Sequence, residues 1–168
     1  MSMIGEFRVS DDEEIQAFLA NLDGFEDALF PEDGAETKSD APIQLDVDKA
    51  WHAIHFLLCG HPWEGEPPLD FIVSGGIPVS EDLGYGPARA FSSSELSEIT
   101  AALEPITLEV LKSRFNPAVF KEHEIYPDIW DESESECLDE YVLKHFKRLK
   151  QFLQRANAEG KALIVYLT

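Results

Sequence analysis

The sequence predicts a mixed α+β fold: a small mixed or antiparallel sheet covered by helices, with a long C-terminal helix followed by a final strand. Helical and strand patterns do not alternate regularly along the chain, which argues against a doubly wound parallel sheet. The sequence shows no internal repeat. The length of 168 residues and the hydrophobic content of 44% fit one compact domain, residues 1–168.

A capping box predicts the first helix. Ser10 and Glu13 have the spacing at which two side chains satisfy each other's backbone amides, and apolar residues then recur at helical spacing up to Leu22. This helix should end near Gly24. The polar stretch 31–42 contains two prolines and no apolar periodicity, so we predict a loop there.

The best-defined helix of the sequence runs from Asp46 to Cys59. Asp46 is suited to cap its N-terminus, and Gly60 with Pro62 should end it. Apolar side chains at helical spacing would face the core: Val47, Ala50, Trp51, Ile54 and Leu58.

Short strands are predicted in the middle of the chain. Leu69–Ser74 and Ile77–Ser80 flank a pair of glycines, which is typical of a hairpin turn. The glycine-rich loop 82–87 should then lead into a strand at Ala88–Phe91.

Three further elements follow in the C-terminal half. Ser92 and Glu95 form a second capping box, for a helix to Leu103, and a short helix should follow at 107–115. A long helix is predicted over residues 133–158. Its apolar seam consists of Leu138, Val142, His145, Leu149, Phe152 and Ala156.

The end of the chain predicts a buried strand. Gly160 should end the long helix, and the run Ala162–Leu167 that follows is apolar and has the length of a strand.

The charge of the chain restricts its partners. Asp and Glu outnumber Lys and Arg by 33 to 13, and the formal net charge of −20 disfavours nucleic acid and anionic membranes. Acidic residues crowd 11–48 and 122–140. The acids that open the last helix complement its dipole, whereas those in the N-terminal region lack such a local reason. They would attract a basic protein partner, although solubility alone would also account for them.

Targeting signals and cysteines indicate the compartment. The N-terminus lacks the basic and apolar regions of a secretory signal, and no apolar run is long enough to span a bilayer. Only Cys59 and Cys137 are present, so two free thiols in a reducing cytoplasm are expected. We expect a monomer or a weak homodimer.

Four side chains of metal-binding type lie along one stripe of the central predicted helix: Asp48, His52, His55 and Cys59. Because four residues of one straight helix cannot converge on one ion, a polar flank with packed histidines is the simpler explanation. The stripe gives only weak metal candidates in His52, His55 and Cys59. The chain also lacks a phosphate-binding loop and a dinucleotide fingerprint, so no cofactor is expected.

Two irregular segments are candidate ligand sites. In the first, glycines flank Tyr85 and Arg89 follows closely, so open backbone amides and one cation could meet a ligand, although a structural turn is the commoner use of such residues. The second segment contains Glu124, Tyr126 and Asp128 around a proline. It could bind a ligand or simply anchor a loop through its aromatic side chains.

Several stretches resemble the YfbM-like family. They are MSMIGEF at the N-terminus, LDVDKAWHAIHFLLCG from Leu45, EDLGYGPAR from Glu81, EIYPDIW from Glu124 and the closing ALIVYL. The resemblance covers nearly the whole chain and implies a compact bacterial α+β domain for which no reaction is established. The residues of this chain that match the family pattern are Met3, Ile4, Gly5, Trp51, His55, Gly60, Glu124, Ile125, Tyr126 and Pro127.

Two hypotheses of function remain open, and whether the protein is an enzyme is undecided. The first is a non-enzymatic interaction module, of inhibitor or immunity type, that binds a basic partner through an acidic face. The second is a small-molecule or metal-binding protein, or a hydrolase, with a site around His55, Glu124 and Tyr126 that the loop with Tyr85 and Arg89 could close. A DNA-mimicking surface ranks below both.

Overall fold

A five-stranded antiparallel sheet organises the chain, as seen in a computed structural model that describes residues 2–29 and 43–168. The strands are β1 (Gly5–Ser10), β2 (Gln44–Asp46), β3 (Ile77–Asp82), β4 (Pro87–Phe91) and β5 (Ala162–Leu167). Their order across the sheet is β2-β1-β5-β4-β3. The predicted α+β class is confirmed, whereas the predicted loop at 31–42 lies outside the described residues.

The final strand, β5, occupies the centre of the sheet. It pairs with β1 on one side and with β4 on the other. Ala162, Ile164 and Tyr166 face one hydrophobic cluster, while Leu163 and Val165 face a larger one on the opposite side. Because successive side chains of a strand point to opposite faces, burial on both faces explains why this run is apolar throughout.

Helices cover both faces of the sheet. They are α1 (Asp12–Ala20), α2 (Asp23–Leu29), α3 (Trp51–Cys59), α4 (Ser93–Leu103), α5 (Leu108–Arg114), α6 (Pro117–Glu122) and α7 (Leu143–Ala158). Ile15, Phe18 and Phe25 of the first two pack on one face, and the other five helices contribute to the larger cluster on the opposite face. None of the helices in the described part of the chain has the length and apolarity needed to cross a membrane.

The prediction for the N-terminal region missed the first strand and placed the cap of the first helix one residue too early. Ser10 ends β1, which the sequence analysis did not identify, and the cap of α1 is Asp11, whose carboxylate accepts a hydrogen bond from the Glu14 amide at 2.7 Å. The Ser10 hydroxyl instead donates to the Glu14 carboxylate. A second short helix, α2, follows α1 where the prediction placed the end of one helix.

The predicted hairpin around the two glycines is also wrong. Residues 67–73 form consecutive turns in which Phe71 and Ile72 are both buried, so this segment lacks the alternation of a strand. The hairpin consists of β3 and β4, and its connection is the glycine-rich loop that follows Asp82. The strand at 88–91 is confirmed as part of β4.

The predicted N-terminal caps of the two middle helices, α4 and α5, are confirmed. Ser92 and Glu95 form the expected reciprocal pair at the start of α4, and Thr107 caps α5. Helix α6 was missed, although Asn116 caps it and Pro117 occupies its first turn. The predicted central helix begins later than expected, because β2 and a short 3₁₀ turn precede α3.

The long C-terminal helix is confirmed with a change in its first part. Residues Ser135–Val142 wind as a π-helix before α7 begins. Most of the predicted seam is buried, including Leu138, Val142 and Leu149. His145, in contrast, is only half-buried.

Candidate functional site

Trp51 joins three distant parts of the chain. Its indole Nε1 donates to the carbonyl of Met3 at 3.0 Å, and its ring lies 6.1 Å from that of Tyr126. The Tyr126 hydroxyl in turn accepts a hydrogen bond from the Met3 amide at 3.2 Å. The methionine backbone is therefore held between two aromatic side chains.

His52 is fully engaged by backbone groups. Its Nε2 donates to the Pro62 carbonyl at 2.9 Å, and its Nδ1 accepts from the Tyr126 amide at 3.0 Å. A neutral ring with the proton on Nε2 satisfies both contacts. Burial lowers the pKa of His52, consistent with that neutral form. With both nitrogens occupied, this ring is poorly placed to bind a metal.

His55 is completely buried and lies in neither of the clefts described below. Among the described residues, neither of its ring nitrogens has a hydrogen-bond partner, so it bonds to neither Glu124 nor Tyr126. Burial lowers the pKa of His55 to about 4. The ring is therefore neutral at pH 7.

Cys59 has the surroundings of a packed thiol. Its Sγ donates to the Leu69 carbonyl at 3.4 Å and touches Gly65, where an added Cβ would lie only 2.5 Å from the sulfur. Burial raises the pKa of the thiol to about 11, so the thiolate needed for metal binding is scarce at pH 7. Both cysteines are free, and the described residues contain no group of three His, Cys, Asp or Glu side chains placed to hold a metal.

Glu124 and Tyr126 do meet, in a cleft of about 400 Å³ that we call the Tyr126 cleft. Its lining residues are Phe120, Lys121, Glu124, Ile125, Tyr126, Asp128 and Trp130. Lys121 forms an ion pair with Asp131. Within the described residues, Glu124 and Asp128 have neither a hydrogen-bond donor nor an ion-pair partner. The cleft thus combines aromatic walls with two free carboxylates.

Tyr85 and Arg89 lie together in a second cleft of about 190 Å³, the Trp63 cleft. Arg89 donates to four backbone carbonyls in the preceding turn, those of Phe71, Ile72, Ser74 and Gly75. Its pKa falls to about 10, chiefly because the group is buried, while Asp70 raises it. The guanidinium is therefore committed to holding the turn rather than presented to a ligand.

The two acidic regions differ in how their carboxylates are used. In the N-terminal region Asp11 caps α1, Asp12 accepts from the amide and hydroxyl of Ser93, and Glu14 accepts from Ser10 and pairs with Arg8 at 3.7 Å. These three acids therefore have structural roles that the sequence did not reveal. The hydrogen bonds from Ser93 also lower the pKa of Asp12.

Residues 122–140, which we call the acidic segment, contain nine carboxylates and no Lys or Arg: Glu122, Glu124, Asp128, Asp131, Glu132, Glu134, Glu136, Asp139 and Glu140. Two of them form ion pairs, Asp131 with Lys121 and Asp139 with Lys112 at 3.1 Å. All but the half-buried Asp139 are exposed.

Sequence reasoning did not identify Trp63, the most exposed aromatic ring among the described residues, at 58%. Its ring lies over His52 with a centroid distance of 4.4 Å and lines the cleft that contains Tyr85 and Arg89. The signal available in the sequence was a tryptophan inside a loop rich in Gly and Pro, where an aromatic side chain has no predicted core to enter.

The comparisons with known proteins agree with this fold. The sequence matches the family model DUF1877, a domain of unknown function, over residues 1–166. A crystal structure of YfbM from Escherichia coli, a protein of unknown function, is similar with a TM-score of 0.72 and 23% sequence identity. The alignment covers 98% of this chain and 99% of that chain. No curated protein matches the sequence.

Proposed function

The chain belongs to the DUF1877 family, whose description names no activity, and we propose that it is a non-enzymatic interaction module that binds a basic protein through its acidic segment. The observation that carries this function is the Tyr126 cleft. Two free carboxylates, Glu124 and Asp128, stand there beside aromatic walls in the most acidic part of the described chain. An arginine or lysine side chain of a partner would find both a counter-charge and a ring surface.

The position of the two carboxylates supports a binding role. Glu124 and Asp128 lie in the irregular segment between α6 and the π-helix, so neither contributes to the N-terminal end of a helix dipole. Carboxylates that are concentrated in one surface segment repel one another, and a basic partner would relieve that repulsion. The field of the acidic segment would also increase the association rate with such a partner.

Catalysis by the alternative site is less well supported. A general base must come within hydrogen-bond reach of its substrate or of a nucleophile, and His55 is buried away from both clefts. His52 does contact the backbone of Tyr126, but both of its ring nitrogens are occupied. The geometry therefore favours recognition over a hydrolase built on His55, Glu124 and Tyr126.

Two matched variants test this function by affinity capture from a lysate of the protein's own cells. The first, Glu124→Gln with Asp128→Asn and Glu132→Gln, neutralises three exposed acids of the acidic segment. The second, Glu13→Gln with Glu26→Gln and Asp27→Asn, neutralises three exposed acids on α1 and α2. Both sets change the net charge by the same amount.

We expect wild type and the second variant to retain the same basic partner and the first to bind it about tenfold more weakly. Each exposed ion pair contributes about 0.2–1 kcal/mol, so the loss of three can reach the roughly 1.4 kcal/mol that corresponds to a tenfold change in affinity. Capture should also fall steeply as salt is raised. If both variants lost the same amount of binding, net charge alone would explain the loss, and the acidic segment would have no special role. Undiminished capture by the first variant would exclude the acidic segment as the binding surface.

A further inference from the structure

A groove of about 230 Å³ lies between α7 and the β1–β2 side of the sheet, and we call it the α7 groove. It shares no residue with the two clefts or with the acidic segment described above. At the helical rise of about 1.5 Å per residue, its lining extends about 16 Å along the helix, so the groove is long and narrow. On the helix side the lining follows one stripe: Arg148, Gln151, Phe152, Arg155, Ala156 and Glu159.

The sheet side of the groove presents apolar surface to solvent. Val9 of β1 and Leu45 of the edge strand β2 line it, and both pack against the larger hydrophobic cluster while remaining partly exposed, as Phe152 does on the helix. Ile43, just before β2, also lines the groove and is 61% exposed, more than any other large apolar side chain among the described residues. Contiguous apolar surface of this kind is typical of a binding groove.

The helix that forms the other wall is basic. Helix α7 contains five Lys and Arg and neither Asp nor Glu, in a chain whose net charge is −20. Arg148 and Arg155 line the groove, both are exposed, and among the described residues neither guanidinium has a carboxylate within ion-pair distance. Because Arg155 is the basic residue of the last turn, the helix dipole accounts for its position but not for that of Arg148.

We infer that the α7 groove binds a small amphipathic anion, a carboxylic acid with an unbranched hydrocarbon chain. Arg148, Gln151 and Arg155 lie on one face of the helix, so three hydrogen-bond donors line the same side of the groove. A guanidinium pairs with a carboxylate through two parallel hydrogen bonds. The hydrocarbon chain would cover the exposed apolar surface of Val9 and Leu45, which removes that surface from water. This site does not depend on the function proposed above.

The charges of the lining favour a monoanion and orient it. Two arginines against one glutamate, Glu159, leave a single positive charge, which matches a carboxylate better than a doubly charged phosphate. Glu159 lies just beyond the C-terminal end of α7, where the helix dipole also disfavours an anion. The acid group therefore lies toward Arg148, in the middle of the helix.

The volume of the groove limits the ligand. At about 230 Å³ it is smaller than the roughly 300–1,000 Å³ that accommodates drug-sized molecules. Because the groove is also long and narrow, a single hydrocarbon chain of medium length fits it better than a fused ring system or a nucleotide.

Octanoate tests the site on the full chain against two matched ligands. Octanamide has the same chain without the charge, and hexanoate has the same acid group on a chain shorter by two methylenes. The readout is the methyl resonances of Val9, Ile43 and Leu45 in a proton–carbon correlation spectrum, with the exposed Ile77 on the opposite edge strand, β3, as the reference for nonspecific binding. We expect octanoate to shift the three groove residues but not Ile77, and to bind about tenfold more tightly than either matched ligand.

Two double variants complete this experiment. Arg148→Gln with Arg155→Gln removes two positive charges from the groove, and Lys144→Gln with Lys147→Gln removes two from exposed positions of the same helix outside it. We expect the first variant to bind octanoate about tenfold more weakly but octanamide as well as wild type does, which also shows that the groove keeps its shape. The second variant should bind octanoate like wild type.

Four results would each overturn the inference. Equal affinity for octanoate and octanamide would show that the arginines do not recognise the acid group. Equal weakening in the two double variants would leave only an effect of net charge. Shifts of Ile77 as large as those of the groove residues would mean nonspecific hydrophobic binding only, and the absence of any shift at millimolar octanoate would exclude the site.

Discussion

Replacing Gly5 with alanine is expected to lower the free energy of unfolding by about 3 kcal/mol, the upper end of the cost of overpacking a core. Gly5 is buried at the start of β1. A Cβ at this position would lie 2.7 Å from Trp51 Cβ and 3.1 Å from Val47 Cγ2. Pairing with β5 limits any movement of the strand, and Trp51 is fixed by its bond to Met3.

Gly24→Ala is the matched control for this substitution. Gly24 lies within α2, and an added Cβ would come no closer than 3.4 Å to the flexible side chain of Asn21. Alanine should stabilise this helix by about 0.5–1 kcal/mol. Urea unfolding followed by circular dichroism measures both variants. If Gly5→Ala were as stable as wild type, the close packing of β1 on Trp51 would be incorrect.

Acidification from pH 7 to about pH 4 is expected to cost about 3 kcal/mol of stability through His55 alone. Burial lowers the pKa of this histidine from 6.5 to about 4 in the folded protein. Between these values the unfolded chain binds the proton and the folded chain does not, so stability decreases as the pH falls through this range. Below about pH 4 both states are protonated and the decrease from this group ends.

His55→Leu isolates this effect, because it removes the titrating group and keeps a side chain of similar size. The variant should lose less stability than wild type over the same pH range in urea titrations at fixed ionic strength. His52 and His145 also have pKa values lowered by burial, so a smaller decrease should remain. Identical pH profiles for wild type and His55→Leu would show that His55 is not buried in a neutral form.

The sequence predicted correctly those elements whose pattern lies within a few consecutive residues. The capping box of Ser92 and Glu95 and the apolar run Ala162–Leu167 both gave the right element, because a cap and a doubly buried strand leave their pattern within a few residues. The segment Leu69–Ser74 was misassigned because its conformation is fixed by Arg89, which is far away in sequence. No local pattern reveals such a contact.

The candidate sites show the same difference between residues that are close in sequence and residues that only the fold brings together. Glu124 and Tyr126 are close in sequence and share a cleft, as do Tyr85 and Arg89. Whether His55 joins either pair depends on how α3 packs, and its burial could not be inferred from a helical stripe that places it beside His52 and Cys59. Trp63 could not be identified from the sequence because its exposed position depends on contacts with α3, including the ring of His52.

The most direct measurement for the proposed binding surface is a titration of the isotope-labelled protein with a short arginine-containing peptide at low salt, followed by proton–nitrogen correlation spectra. A peptide with citrulline in place of arginine has nearly the same shape without the charge. We expect the arginine peptide to shift resonances of residues 120–130, around Glu124 and Asp128, and the citrulline peptide to leave them in place. Shifts that concentrate on α1 and α2, or that are equal for both peptides, would contradict recognition of basic groups by the acidic segment.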